Sequence, residues 1–172
     1  MFVDESGVHL ALTPAYGRAP RGERVVDDVP SHRWETYSVI AALRCTGIVA
    51  PMVLRGAVDT AALRAWVQTT LAPELQAGDI VVWDNLRIHE DPEVAEMIAI
   101  RGARLEFLPP YSADLNPIEE AWSKMKSVLR RICARTLDAL LSGVGEALEA
   151  ISPSDCHGWF KHAGYYSGGP SQ

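Results

Sequence analysis

From Asp59 onward the apolar residues switch repeatedly between helical and strand-like spacing, and that alternation limits the fold more than any other feature. Leu63, Trp66, Val67, Thr70 and Leu71 recur at helical spacing behind Asp59 as a cap, and Pro73 marks the approach to the end. Ile80-Val81-Val82-Trp83 is then a short run of strand formers. The pattern repeats: Asp91-Pro92 opens a helix carrying Val94, Met97 and Ile98, closed near Gly102, and Leu105, Phe107 and Leu108 form a strand stopped by Pro109-Pro110. Strands joined through helical crossovers run parallel, because a tight turn can only reverse the chain. The final strands are therefore expected to be parallel, in an α/β sheet whose sites gather at strand carboxyl ends.

Upstream the reading is different. Thr36–Leu43 and Ile48–Leu54 flank Gly47 as a strand pair with a short turn, and Pro51 argues for an edge or a bulge. Residues 13–35 carry Pro14, Gly17, Pro20, Gly22 and Pro30 among charges and read as irregular loop. Downstream, a third helix begins at Pro117, with Ile118, Trp122, Met125, Leu129 and Ile132 as its apolar stripe. A fourth, with Leu137, Leu140, Leu141, Val144, Ala147, Leu148 and Ile151, stops before Pro153, and a tail frays from Gly164 to residue 172. With 172 residues and 48% apolar content, residues 1–172 are expected to form a single domain.

Three acidic residues stand where strands or turns would deliver them: Asp4 after Phe2-Val3, Asp84 after Trp83, and Glu119 after Pro117-Ile118. Converging carboxylates suit hard divalent cations, two of which can clamp the attacking and leaving oxygens of a phosphodiester. Each has a plainer local reading. Glu119 completes a capping box with Asn116 as helix cap and Pro117 as first helical residue. Asp84-Asn85 and Asp4-Glu5-Ser6-Gly7 are ordinary turn chemistry, and Glu5 competes with Asp4.

Charge and cysteine usage narrow the classes further. A net charge of −6 repels a polyanion, so nucleic-acid binding has to rest on local bases or on cations. On the third helix Ser123, Lys126 and Arg130 follow the Glu119 side, with Lys124 and Arg131 further round; Arg18 and Arg21 lie in the long loop, and His89 follows Asp84 by five positions. Solvated surface explains each locally as well as phosphate contact does. Three scattered cysteines, Cys45, Cys133 and Cys156, argue against a disulfide framework, and Cys156, His157 and His162 lack a fourth zinc ligand. Without a leader or a membrane-length apolar run, a cytoplasmic protein is expected.

Three segments together carry a family likeness: Phe2-Val3-Asp4-Glu5-Ser6-Gly7, Val82-Trp83-Asp84-Asn85, and Leu108-Pro109-Pro110-Tyr111-Ser112-Ala113-Asp114-Leu115-Asn116-Pro117-Ile118-Glu119. They resemble the catalytic domain of insertion-sequence transposases of the mariner superfamily, and the 34 residues between Asp84 and Glu119 are that family's spacing. The likeness runs from Phe2 to about Tyr165. It implies a ribonuclease H-like mixed sheet flanked by helices, with an extra C-terminal helical segment. It also implies Asp4, Asp84 and Glu119 as ligands of Mg²⁺ or Mn²⁺, with two ions, and DNA cleavage and strand transfer as the reaction. DNA contacts would fall to Arg18, Arg21, Asn85, His89, Lys124, Lys126, Arg130 and Arg131, and the active form would be a homodimer on element ends and target duplex. The family's helix-turn-helix region has no counterpart ahead of Asp4, which implies a separately encoded partner or a truncated remnant, and the first strand is expected to be cut short. The alternatives are a stand-alone nuclease of the same fold and an inactive, regulatory partner of a complete transposase.

Overall fold

The computed structural model describes residues 1–26, 28, 30, 35–85 and 91–165. Its strands are β1 (Phe2–His9), β2 (Thr36–Arg44), β3 (Gly47–Arg55), β4 (Ile80–Trp83) and β5 (Arg104–Phe107), in one sheet of order β3-β2-β1-β4-β5. β1, β2 and β3 are antiparallel neighbours, whereas β4 runs parallel to both β1 and β5. The helical crossovers do what their length requires, so the expected mixed α/β sheet is the observed one.

The Asp4-Glu5-Ser6-Gly7 stretch is not a turn. β1 runs through it and pairs Phe2 to His9 with Leu43 to Thr36. Asp4 therefore lies inside an eight-residue strand. Pro51 meets both expectations, because β3 is an edge strand and the β2–β3 register shifts between Ile40 and Ala42. Ala50 accommodates that shift at φ 54°, and its carbonyl accepts the indole N–H of Trp66 at 2.8 Å.

Side-chain alternation splits the core into two layers. On one face Val3, Ile40, Ala42, Val81 and Trp83 pack on α1 (Thr60–Trp66) and α2 (Pro92–Ile100). Helix α1 runs on without a break through a π-helical turn, Val67–Leu71, and a 3-10 turn, Ala72–Glu74. Asp59 and Asp91 cap these helices by accepting the N–H groups of Ala62 and Glu93. On the other face Phe2, Val8, Val39 and Ala41 pack on α3 (Ile118–Ile132), α4 (Leu137–Glu149) and α5 (Pro153–His162).

The fourth helix ends before Pro153 as expected, and Pro153 also occupies the first position of α5, which Ser152 and Asp155 open with a reciprocal capping box. Gly164 and Tyr165 do not fray: the Tyr165 ring lies 4.7 Å from Phe2 and 6.3 Å from Phe160, centroid to centroid. Residues 166–172 lie outside the described part. No disulfide forms among the described residues, and no described helix is long and apolar enough to cross a membrane.

Candidate metal centre

Alternation along β1 decides between the two neighbouring acids. Asp4 shares the face of Phe2 and Val8, toward α3, while Glu5 shares the face of Val3, toward α1 and α2. Asp4 is only 8% exposed there. Trp122, three positions beyond Glu119 on α3, donates its indole N–H to Asp4 Oδ2 at 3.0 Å. This is what a buried indole requires, a partner for its N–H, and it fixes the carboxylate against the helix.

Asp84 and Glu119 arrive from the other side. β4 ends at Trp83, whose carbonyl accepts the Leu108 N–H at 2.8 Å, and Asp84 follows, half-buried, at the carboxyl end of the strand. The parallel neighbour is β1, through Phe2 opposite Val82. Asp84 and Glu119 line one cavity of about 340 Å³, closed by Asn85, the Pro109-Pro110-Tyr111 turn and Asn116.

The capping box drawn from Asn116 and Glu119 does not form. Asn116 closes the preceding 3-10 turn, Ala113–Leu115, and Pro117 stands as the helix cap in a right-handed conformation with no side-chain hydrogen bond. The Asn116 Oδ1 is buried without a hydrogen-bond partner among the described residues. Glu119 is released from capping and sits exposed at the first turn, where the positive end of the helix dipole favours its charge.

Electrostatically the acids oppose one another. Burial, and then the nearby Glu119 charge, push the Asp4 carboxyl up to about 7, against the weaker opposite pull of the Glu5 backbone N–H and the Trp122 indole. A negative charge there is costly until a cation neutralises it. The donor set is all oxygen, which fits a hard divalent ion. As the side chains stand, no three His, Cys, Asp or Glu residues among those described are close enough to share an ion. The pairs Asp84–Glu119 and Asp4–Glu119 are brought together; the three are not yet one cage.

The basic candidates scatter. Asn85 is exposed on the cavity wall, and Arg18 and Arg21 are exposed in the long loop. Lys126 and Arg130 are partly exposed and Arg131 fully so, along the helix that begins at Glu119. Lys124 is part-exposed, and its Nζ lies 2.6 Å from Asp155 Oδ2, tying α3 to α5. His89 lies outside the described residues. Two features were not foreseen from sequence, the Trp122–Asp4 bond and the exposure of Tyr111 on the cavity rim.

The family model for the DDE superfamily endonuclease matches residues 1–141, most of the chain and all three acids. The chain belongs to that family. No curated protein matches it in sequence. Among solved structures, the DDE endonuclease fold here is similar to the mariner Mos1 paired-end complex with Mg, at a TM-score of 0.71 and 12% identity over 96% of this chain and 56% of that one. The Mos1 paired-end complex with left transposon end gives 0.69 and 13% over 95% and 50%. The catalytic domain of the Mos1 mariner transposase gives 0.56 and 14% over 97% and 84%. The chain thus spans about half the length of the Mos1 chains in the DNA complexes. At these identities the likeness establishes the fold, the ribonuclease H-like sheet with flanking helices.

Proposed function

We propose that this domain performs the phosphoryl transfers of DNA transposition, with Asp4, Asp84 and Glu119 as ligands of two divalent cations, Mg²⁺ or Mn²⁺. The observation that carries this reading is Asp4: a buried acid raised to about 7 by burial and by Glu119, facing the helix whose first turn shares a cavity with Asp84. Such an arrangement is unfavourable alone and favourable around a cation. Bound cations would supply the clamp on attacking and leaving oxygens that in-line displacement needs.

The chain's own groups have separate duties. Trp122 holds Oδ2 of Asp4 against α3, the helix that carries Glu119. Asp84 directly follows the short β4, and Glu119 stands at the start of a 15-residue helix. The cavity's Asn85 and the exposed bases along α3 suit a phosphate backbone, and they are needed because the chain as a whole carries −6. Mos1 in its paired-end complexes holds transposon ends, and its structures with Mg and with Mn support the choice of ion. Recognition of element ends is assigned to a helix-turn-helix module, on this polypeptide or a separate one, and the working form to a homodimer acting in the cytoplasm.

The test is a nicking assay on supercoiled plasmid with Mg²⁺ or Mn²⁺, followed by joining of a pre-cut 3′-hydroxyl oligonucleotide to plasmid target. Asp84→Asn and Glu119→Gln are expected to reduce both steps by on the order of 100-fold or more, since each removes a charge that anchors the ions. Glu120→Gln, one residue further round α3 and exposed, should stay close to wild type. Undiminished cleavage by Asp84→Asn, or loss in Glu120→Gln but not Glu119→Gln, refutes the assignment. Nicking without joining would make the domain a nuclease only.

A further inference from the structure

Tyr111 is the most exposed large hydrophobic residue among those described, at 106% of its reference area, and it stands on the rim of the cavity that Asp84 and Glu119 line. Its backbone is left-handed, φ 60°. A residue with a Cβ pays roughly 1–2 kcal/mol for that conformation, which Gly or Asn would adopt with less strain. Tyr37, by contrast, buries its ring in the core and donates its hydroxyl to Glu35 at 2.8 Å. Tyr111 thus combines a strained backbone with a ring left exposed by the described residues. Two prolines precede it, and their fixed φ angles hold the approach to the turn in place.

We infer that Tyr111 is a stacking platform for a nucleobase of the DNA, the base beside the phosphate that enters the carboxylate cavity. This rests on the proposed function and names a binding subsite within it. The physical case comes from what the chain lacks. Its net charge of −6 means the field of the whole molecule repels the substrate, so contacts indifferent to charge have to contribute affinity near the acids. A flat aromatic face does so for any base, because every base offers a π-face. The cavity's walls beside the ring, Leu108, Pro109, Pro110 and Ala113, are apolar and suit the edge of a base drawn out of its stack. Position supplies the rest: the ring and the two carboxylates bound one space, so a base resting on the first sets its own phosphate near the second.

The probe is a 12-nucleotide oligothymidylate carrying one 5-iododeoxyuridine, with Ca²⁺ in place of Mg²⁺ so that binding is read without cleavage. Near-ultraviolet crosslinking followed by peptide mass mapping should place the adduct on Tyr111. Tyr111→Ala should weaken binding about tenfold, while Tyr111→Trp should keep it within about twofold. An abasic site at the crosslinked position should cost the wild type a similar factor and cost Tyr111→Ala nothing more, since the two changes remove the same contact. A crosslink elsewhere, an absent crosslink, or an abasic penalty that persists in full in Tyr111→Ala overturns the inference. So does a variant whose only defect is lost self-association, which would make the ring a protein contact. The two readings fail separately. A Tyr111 crosslink with no nicking of plasmid by wild type removes the catalytic proposal alone, and wild-type affinity and nicking by Tyr111→Ala remove the platform alone.

Discussion

Asp4 and Asp91 have the same exposure, 8%, on opposite faces of the sheet, and they are held in opposite ways. Asp91 caps α2 and accepts the Arg64 Nε–H at 2.8 Å, and that guanidinium holds its carboxyl below the usual range. Asp4 receives an indole and a backbone N–H, and its carboxyl is pushed up to about 7 by burial and by Glu119. The α1–α2 face settles its buried acid with a cation from the chain itself. The α3 face places its buried acid beside another acid. A fold can satisfy an interior carboxylate with a cation of its own, and under the proposed function the acid left beside a like charge on the α3 face takes its cation from outside.

The comparison breaks most visibly at Asp4. Its folded-state value lies above the unfolded one, so below about pH 4 both states hold the proton and there is no penalty. As pH rises toward about 7 the unfolded chain loses the proton first and stability falls, by a few kcal/mol in all. Asp4→Asn should therefore abolish cation-dependent nicking and yet raise the cation-free melting temperature at pH 8 by roughly 10 °C, the gain vanishing near pH 4. Mg²⁺ should stabilise the wild type at pH 8 far more than at pH 5, and should not stabilise Asp4→Asn. Asp91 works with the opposite sign: its contribution is present above its unfolded value and is lost as acid approaches its lowered folded value. Scanning calorimetry across pH, with and without Mg²⁺, separates the two limbs. A wild type that melts higher as pH rises from 5 to 8 without metal would end the contrast.

Much of the α1–α2 face was readable from spacing alone, because its helices alternate with strands and carry Asp59 and Asp91 at their starts. The α3 face was readable in part. The stripe of α3 and the apolar positions of α4 follow period, but α5 has Gly158 inside it and few apolar positions, and its real signal, the pairing of Ser152 with Asp155, was masked by reading Pro153 as a stop. In the candidate site the positions of the three acids came from motif and spacing. The Trp122–Asp4 bond did not, because it joins residues 118 positions apart and no local pattern encodes it. Asn116 differs for a related reason: its backbone N–H closes the 3-10 turn before it and its carbonyl accepts the Glu119 N–H, while its side-chain oxygen makes no cap. Exposure of Tyr111 is likewise a tertiary fact, invisible in Pro-Pro-Tyr-Ser.

Trp122 sharpens the same contrast at smaller scale. Its indole N–H is, with the Glu5 backbone N–H, one of two donors that favour the charged form of Asp4, so Trp122→Phe should raise that carboxyl further. The rise of nicking rate with pH is expected to move up by about one unit, with activity at pH 7 down about tenfold and largely regained at pH 9. Loss of packing alone would lower the rate equally at every pH. A uniform fall would therefore reduce Trp122 to a core residue.

The smallest effects concern the bases of α3, which the two-face contrast divides into committed and available. Lys124 is committed: it draws the Asp155 carboxyl down to about 2, with Ser152 helping, and that acid also anchors the capping box of α5. Arg131 is exposed in the last turn of the same helix. Arg131→Ala should weaken DNA binding several-fold and lower the slope of log affinity against log salt by about 1, the signature of one phosphate contact. Lys124→Met should leave affinity and slope unchanged and lower the melting temperature by only a degree or two, since a partly exposed pair contributes little. Filter binding between low and moderate salt reads both. If the two variants give the same slope, Lys124 leaves Asp155 when DNA arrives, and the clamp between α3 and α5 becomes something that opens on the substrate rather than part of the frame that holds Glu119.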